Sequence, residues 1–575
     1  PDLVKKAKSH GATALALTDH GNMYGAIEFY KECEKNGIKP IIGCEIYMAE
    51  RTRKDMESGT DNKSYHLTLL AKNETGYKNL MRIVSKSFLE GFYYKPRIDK
   101  ELLELHKDGI IAILPSFSGE VVSFIKGNEP EKAKTALIWY KETFGNSLYM
   151  EITHHPEIND HEEKMEKLIA LCREISVPLV AAHDVYYIHK EDREARNTLM
   201  SVQSNTERER GGFNDGDEDF SFIGVEKANE YFKDIPEALE NTQKIVDACN
   251  LKLTFGSWVF PDLKVESGLS YEDELRRIVY EGIPKRGLVE TPELKERIEY
   301  ELKIIKDKGF SPYFLVVGDL LRYAHEHGIL TNIRGSVAGS MVTYLAQITN
   351  VNPIEYKLPF ERFLNPERPS APDIDMDFAD NRRDEIIEYA RNKYGAEKVA
   401  QIGTFGTMMA RGAVKDVTRA LGYPYALGDR ISKLIPMGSQ GFAMTIDRAF
   451  DMVPELKSMY EAEPEVKEII DMAKKMEGCA RHISVHAAGV VIAPTKLTDF
   501  VPLQFDTKGE NKIITQYDMY SVEEAGLLKF DFRGLTNLSI LADAVARVKE
   551  RLGVEIDLDN FPLDDKKTFE MLSRG

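Results

Sequence analysis

Between positions 372 and 378 three aspartates alternate with apolar residues: Pro372-Asp373-Ile374-Asp375-Met376-Asp377-Phe378. Alternation with a period of two predicts a strand with all three carboxylates on one face and Ile374, Met376 and Phe378 on the other. Asp is depleted in strands, and like charges two residues apart repel unless a cation sits between them. Such a strand is either a solvated edge that happens to be acidic or a metal-binding surface. In both cases its apolar face demands a packed layer behind it, so the chain must build a backed sheet.

A second run, Leu527-Leu528-Lys529-Phe530-Asp531-Phe532, puts Lys529 and Asp531 on one face of an otherwise apolar strand. An ionised Asp there rarely lacks a partner. It either couples to Lys529 at a sheet edge or joins Asp373 and Asp375 as a third metal carboxylate, with Lys529 facing a phosphate. Hard cations such as Mg²⁺ take oxygen ligands, and carboxylates shared by two ions suit in-line phosphoryl displacement.

With 575 residues, 42% of them apolar, the chain exceeds one hydrophobic core and predicts three or four domains. A charged fraction of 30% excludes the disordered and fibrous classes. The five cysteines are far apart without a CxxC pair, which suits a reducing compartment. No apolar run approaches the roughly 20 residues that cross a bilayer, and a cytoplasmic location is expected. The net charge of −18 argues against a uniformly basic surface but not against a basic groove. Both ends read as cut: Pro1 lies inside an amphipathic helical pattern, and Gly575 follows directly on another.

Short apolar strands alternate with helical patterns through the first third: strands are expected at 14–18, 40–48, 109–114, 147–152 and 178–182, a layout that predicts a largely parallel sheet or barrel. Residues 211–219 read as a surface loop. Pro and Gly near 256 and 261 mark a boundary, followed by charged helical sequence over 271–308, long helical patterns from 382 to about 477, and strands at 489–493 and 527–532.

Arg334-Gly335-Ser336-Val337-Ala338-Gly339-Ser340 leads into a helical pattern at Met341. Small residues and the hydroxyls of Ser336 and Ser340 at a helix start can cradle a polyphosphate, or simply cap the helix. The Gly-Lys-Ser/Thr ending of a P-loop is absent. Arg362 and Arg368 suit phosphate oxygens, or salt bridges to Glu361 and Glu367. Arg411, Lys415 and Arg419 share a helix face that either meets a nucleic-acid backbone or is merely solvated.

In order along the chain stand TDHGNMYGAIEFY, GFSPYFLVVGDLL, RGSVAGS, FERFLNPERPSAPDIDMDF, QIGTFGTM, HAAGVVIAP and LLKFDFRGL. This series resembles, essentially from end to end, the C-family of bacterial replicative polymerases, the DNA polymerase III alpha subunits. The resemblance implies a multidomain α/β chain: a PHP-type distorted (β/α) barrel over 1–261, truncated at its start; a nucleotidyltransferase-like palm over 262–404 and 487–536; a helical thumb over 405–486; and the start of the fingers over 537–575. It implies that Asp373, Asp375 and Asp531 are the catalytic, metal-holding triad, that Asp377 lies outside it, and that Gly335, Ser336, Arg362 and Lys529 surround the incoming dNTP. Template-directed DNA synthesis follows, with two Mg²⁺ ions, primer-template DNA and dNTPs, and with sliding clamp, clamp loader and a proofreading subunit as partners reached mostly through other regions.

The first domain resembles the PHP (polymerase and histidinol phosphatase) domain, whose members gather His, Asp and Glu around metals. Asp19, His20, Glu45, His66, His155 and Asp184 match such a set, for Zn²⁺ or Mn²⁺. The family's opening His-x-His does not occur in this chain, and Tyr186 stands where a ligand is expected, with His183 nearby as a substitute. The expected role is a structural barrel. The alternatives are a PHP-type metal-dependent phosphoesterase or 3′-5′ exonuclease, and a noncatalytic replisome scaffold.

Overall fold

The computed structural model describes residues 1–575 apart from 205–218, 369–370, 439–441, 559–561 and 563. Nearly all of the loop expected at 211–219 therefore lies outside the described residues. The chain divides into two compact units. The first comprises residues 1–254, 403–485 and 501–521, and the second 255–402, 486–500 and 522–575.

In the first unit the strands run in the order Phe92–Tyr93, Lys95–Ile98, Lys39–Ala49, Ser64–Ala71, Ile110–Leu114, Leu148–Ile152, Leu179–Ala181, with Ala14–Leu17 also paired to Lys39–Ala49. The sheet is mixed rather than largely parallel, because Ser64–Ala71 runs antiparallel to both of its neighbours. That strand follows Lys39–Ala49 through a polar loop, with no crossover helix between them to enforce parallel pairing. The Leu148–Ile152 and Leu179–Ala181 strands do pair in parallel with a helix between them, as the alternating sequence predicts.

The same unit holds the helices of the expected thumb. In Ala410–Ala420, residues Ala413, Val414 and Val417 recur at helical spacing and are fully buried against Ile431, Ile469 and Ile470. Pro454 and Pro464 each open a helix, where the missing N–H costs nothing. Val399–Thr407, read from sequence as part of a long helical stretch, is a strand. Its glycines explain the misreading and the structure alike. A Cβ on Gly403 would stand 2.3 Å from the Thr515 carbonyl, and one on Gly406 2.6 Å from the His482 ring.

In the second unit the strands run Ala480–Ile492 (through residues 489–491), Lys529–Leu535, Asp375–Ala379, Thr331–Arg334. Ile374, Met376, Phe378, Phe530 and Phe532 form the buried face, and Phe314, Val317 and Leu320 of the helix Ser311–Glu326 pack in the same core. Each large apolar side chain buried there contributes roughly 1.5–3 kcal/mol. Asp319 on that helix is 3% exposed and accepts from the Tyr389 and Tyr394 hydroxyls at 3.1 and 3.0 Å and from Lys393 Nζ at 2.6 Å. These bonds pin the helix Arg383–Tyr394 to Ser311–Glu326 and so stiffen the backing of the sheet.

Candidate active site

The face opposite that core is charged. Asp375 is in register with Asp531 on one side and with Arg334 on the other, and Gly489 lies opposite Asp531. Residues in register across a sheet point to one face, so Gly489, Asp531, Asp375 and Arg334 form a row. Lys529 and Arg533 flank Asp531 at the period of two, on the same face. The strand begins at Asp375 and not at Asp373 as the alternation suggests: Pro372 has no N–H to give a ladder, and Asp373 lies two residues before the first paired residue.

Asp373, Asp375 and Asp531 each present an oxygen within 4.8 Å of the other two; among the described residues no other His, Cys, Asp and Glu set converges in this way. At that separation each ionised pair repels by on the order of 3 kcal/mol at an effective dielectric of 20. Asp531 is 2% exposed, and neither of its carboxylate oxygens accepts a hydrogen bond of good geometry, although Lys529 Nζ stands 2.8 Å away. Asp375 Oδ1 is likewise buried without a hydrogen bond, with Arg533 Nη2 at 3.0 Å. Buried acceptors left open beside one another, all oxygen, fit hard divalent cations.

Charge and burial compete at this face. Burial pushes the Asp375 carboxyl up; Arg533 opposes it, and Asp373 and Asp531 add to it. Burial works to lower the Lys529 ammonium, but Asp531, Asp373 and Glu523 outweigh it and raise it. Burial likewise raises Glu523. Asp377 is fully buried and takes both arms of the Arg334 guanidinium, which leaves it no open oxygen for a metal.

Gly335 and Ser336 follow directly on the Arg334 strand. Gly335 has a φ of +97° with open space where a Cβ would be, a conformation only glycine adopts cheaply. Arg362 is exposed at the end of the short turn Phe360–Arg362, and Glu361 is engaged by the Tyr300 hydroxyl instead of by Arg362. The helix start at Met341 is not an open anion site. Glu301, fully buried, accepts from the Met341 and Val342 N–H groups at 2.9 and 3.0 Å and from Ser340 Oγ at 2.8 Å, while Arg297 supplies its counter-charge at 2.6 Å. The Ser340 hydroxyl caps Thr343, so the protein's own carboxylate occupies the place read from sequence as a cradle.

Arg411, Lys415 and Arg419 do share a helix face, but each is half-buried. Arg411 donates to the Ile435 carbonyl at 2.7 Å, Lys415 pairs with Asp429 at 3.2 Å, and Arg419 donates to the Val202 carbonyl at 3.3 Å. They bind the helices of their own unit together.

In the first unit Glu45 bridges two imidazoles, hydrogen-bonded to His66 and 3.4 Å from His20. The pairing holds the Glu45 carboxyl down at about 2 against the pull of burial. Asp19 is raised by burial, with His20 opposing. Further in, His155 and His183 stack at 5.3 Å; His155 Nε2, both His183 nitrogens and Asp184 Oδ2 are buried without hydrogen-bond partners. Burial, then His155, drives His183 down to about 4. Glu151 accepts from the Ser116 N–H and hydroxyl, yet burial and Asp184 push it up to about 8. Tyr186 packs 6.4 Å from His20 beneath Arg196. Asp19, His20, Glu45, His66, His155 and Asp184 thus line one region, but no three ligand atoms among them close on a common point, and as arranged they do not fit a metal cluster.

Sequence reasoning missed Arg533, His486 and Glu523. The period of two places Arg533 beside Asp531 and was enough to find it. His486, whose Nδ1 accepts the Gly489 N–H at 2.7 Å, lies three residues before Gly489 in the strand Ala480–Ile492, and Glu523 lies in the short helix Met519–Glu524, so neither falls on the period of two that marks this face.

Residues 273–534 match the family model described as the bacterial DNA polymerase III alpha NTPase domain, and residues 1–155 match the PHP domain. The chain is 42% identical to the DNA polymerase III subunit alpha of Borreliella burgdorferi, covering all of this chain and 50% of that protein. It is 39% identical to the same subunit of Aquifex aeolicus, covering 100% and 53%, and 39% identical to that of Thermus aquaticus, covering 98% and 51%. The chain spans about half the length of the curated relatives it matches. Among the described residues no helix is long and apolar enough to cross a membrane.

Proposed function

Because this chain belongs to the bacterial DNA polymerase III alpha family, with a PHP domain followed by the family's nucleotidyltransferase-like domain, we propose that it carries the catalytic centre of template-directed DNA synthesis. The observation that carries the proposal is the convergence of Asp373, Asp375 and Asp531 within 4.8 Å, with both Asp531 oxygens buried and neither accepting a hydrogen bond of good geometry.

In the proposed reaction the primer 3′-oxygen attacks the α-phosphorus of a dNTP, the bond to the β-phosphate oxygen breaks, and pyrophosphate leaves. The three aspartates would hold two Mg²⁺ ions, which when bound would lower the pKa of the attacking hydroxyl and neutralise charge on the leaving phosphates. Gly335, Ser336 and Arg362 bind the triphosphate beside the Arg334 edge of the sheet. Arg334 spends its charge on Asp377, so that edge stays ordered without drawing Asp377 into the metal site. Lys529 and Arg533 offset the acid cluster and orient Asp531 and Asp375.

The PHP portion serves as structure. Residues 262–404 and 487–536 act as palm, 405–486 as thumb and 537–575 as the start of the fingers, in a cytoplasmic protein whose partners are primer-template DNA and replisome subunits, the sliding clamp and its loader among them. Primer extension with Mg²⁺ and dNTPs by the full-length protein tests the reading: extension by the wild type and a loss of at least a hundredfold in Asp375→Ala supports it. Equal activity in the two overturns it.

A further inference from the structure

The row across the charged face ends in a residue without a side chain. Gly489 lies opposite Asp531, so a Cβ at 489 would project onto the carboxylate face beside Asp531. That space is shared by the imidazole of His486 and the buried side chain of Ile402: Nδ1 and the Ile402 Cδ1 each stand 2.9 Å from where the Cβ would be. The chain folds the ring back over its own strand, and Nδ1 accepts the Gly489 N–H at 2.7 Å and the Ala488 N–H at 3.3 Å.

Those two bonds decide the protonation state. A nitrogen that accepts N–H bonds cannot carry a proton, so the ring is a neutral imidazole with its hydrogen on Nε2. Burial, which keeps the imidazole below its usual range, agrees. The ring is only half-buried, and no protein group among the described residues accepts from Nε2. The face therefore ends in a fixed, uncharged N–H donor next to the most buried of the three metal-site aspartates.

Direction follows from the chemistry. Displacement at phosphorus brings nucleophile and leaving group in and out along one line. If the triphosphate lies on the Gly335–Ser336 side, beyond Arg334, the nucleophile arrives across Asp531 from the Gly489 side. Adjacent strands are about 4.8 Å apart, so the strand that carries His486 and Gly489 is about 10 Å from that of Asp375.

We infer that His486 binds the primer terminus, donating Nε2–H to the phosphate that joins its last two nucleotides; the inference rests on the polymerase reading above. The test is steady-state extension by the full-length protein, with Asp375→Ala as the control for that reading. His486→Ala raises KM for primer-template about tenfold and leaves KM for dNTP within about twofold, the size expected for one hydrogen bond to a charged group. His486→Gln, whose amide offers an N–H in place of Nε2–H, recovers part of the loss. A primer with a methylphosphonate at its last linkage weakens the wild type by a similar factor and His486→Ala no further, a readout that needs only one folded variant. Unchanged primer KM, a rise in dNTP KM instead, or additive effects of variant and methylphosphonate overturn the inference while the polymerase reading stands. Absence of extension by the wild type overturns both.

Discussion

Arg334 closes both arms of its guanidinium on Asp377, with Nη2 2.8 Å from Oδ1, two residues along the strand from Asp375. Two aspartates on one face thus have opposite fates: one is neutralised by protein, the other is left open. Asp377→Asn is expected to lower stability by about 1–3 kcal/mol, less than a fully buried pair because Arg334 is itself half-exposed, and to leave divalent-cation binding intact. Asp375→Asn is expected to do the reverse. Chemical denaturation with and without Mg²⁺ separates the two.

The clustered carboxylates of Asp373, Asp375 and Asp531 repel one another in the absence of cations. Mg²⁺ is therefore expected to raise Tm, with about 2.7 kcal/mol gained at a hundred times its dissociation constant, and a chelator to remove the gain. In Asp531→Ala the cation-dependent shift disappears. A cation shift that survives this change places the binding elsewhere.

The parts of this site that follow a period of two were legible from sequence. Asp375, Asp531, Lys529 and the apolar Met376, Phe378, Phe530 and Phe532 take the faces that alternation assigns. What escaped are the features set by a partner distant in sequence. Nothing in Ser340-Met341 announces that Glu301 will fill the helix start, and the glycines of Val399–Thr407 are explained only by the Thr515 and His482 atoms that approach them. Arg411, Lys415 and Arg419 show the same limit from the other side: their spacing located the face correctly but could not say that Ile435, Asp429 and Val202 use it.

Glu301 ties the helix start at Met341 to Arg297. Glu301→Ala leaves two N–H groups and a hydroxyl without their acceptor and strips Arg297, which keeps the Gly339 and Leu358 carbonyls, of its counter-charge, and roughly 3–5 kcal/mol of stability is expected to be lost. Ser340→Ala, which removes the Thr343 cap and one of these donors, is expected to cost about 1 kcal/mol. Urea denaturation of the two variants gives the ratio.

The buried Glu151 gives the first unit a pH dependence. Its folded pKa of about 8 lies above the unfolded value, so between about 4.5 and 8 the native state holds a proton that the unfolded chain has lost, and stability falls as pH rises. His183, lowered to about 4, acts oppositely between 4 and 6.5, so the Glu151 effect is clearest from 6.5 to 8. The raised pKa of His20 adds a decline of the same sign, so the comparison is with the variant. In chelator, Glu151→Gln is expected to flatten the decline by on the order of 1–2 kcal/mol over that window, measured as Tm against pH.

The first unit is assembled from residues 1–254, 403–485 and 501–521, and one of its buried hydrogen bonds joins the Tyr77 and Tyr517 hydroxyls at 2.5 Å. A ribosome that has made the first 254 residues has therefore not made a finished unit. The nascent chain must wait for more than two hundred further residues, threading the first part of the second unit in between, before that contact closes. Closing so long a loop adds little entropy cost per doubling of length, but it delays the reward, so the early segments are exposed to chaperones and to mispairing for most of synthesis.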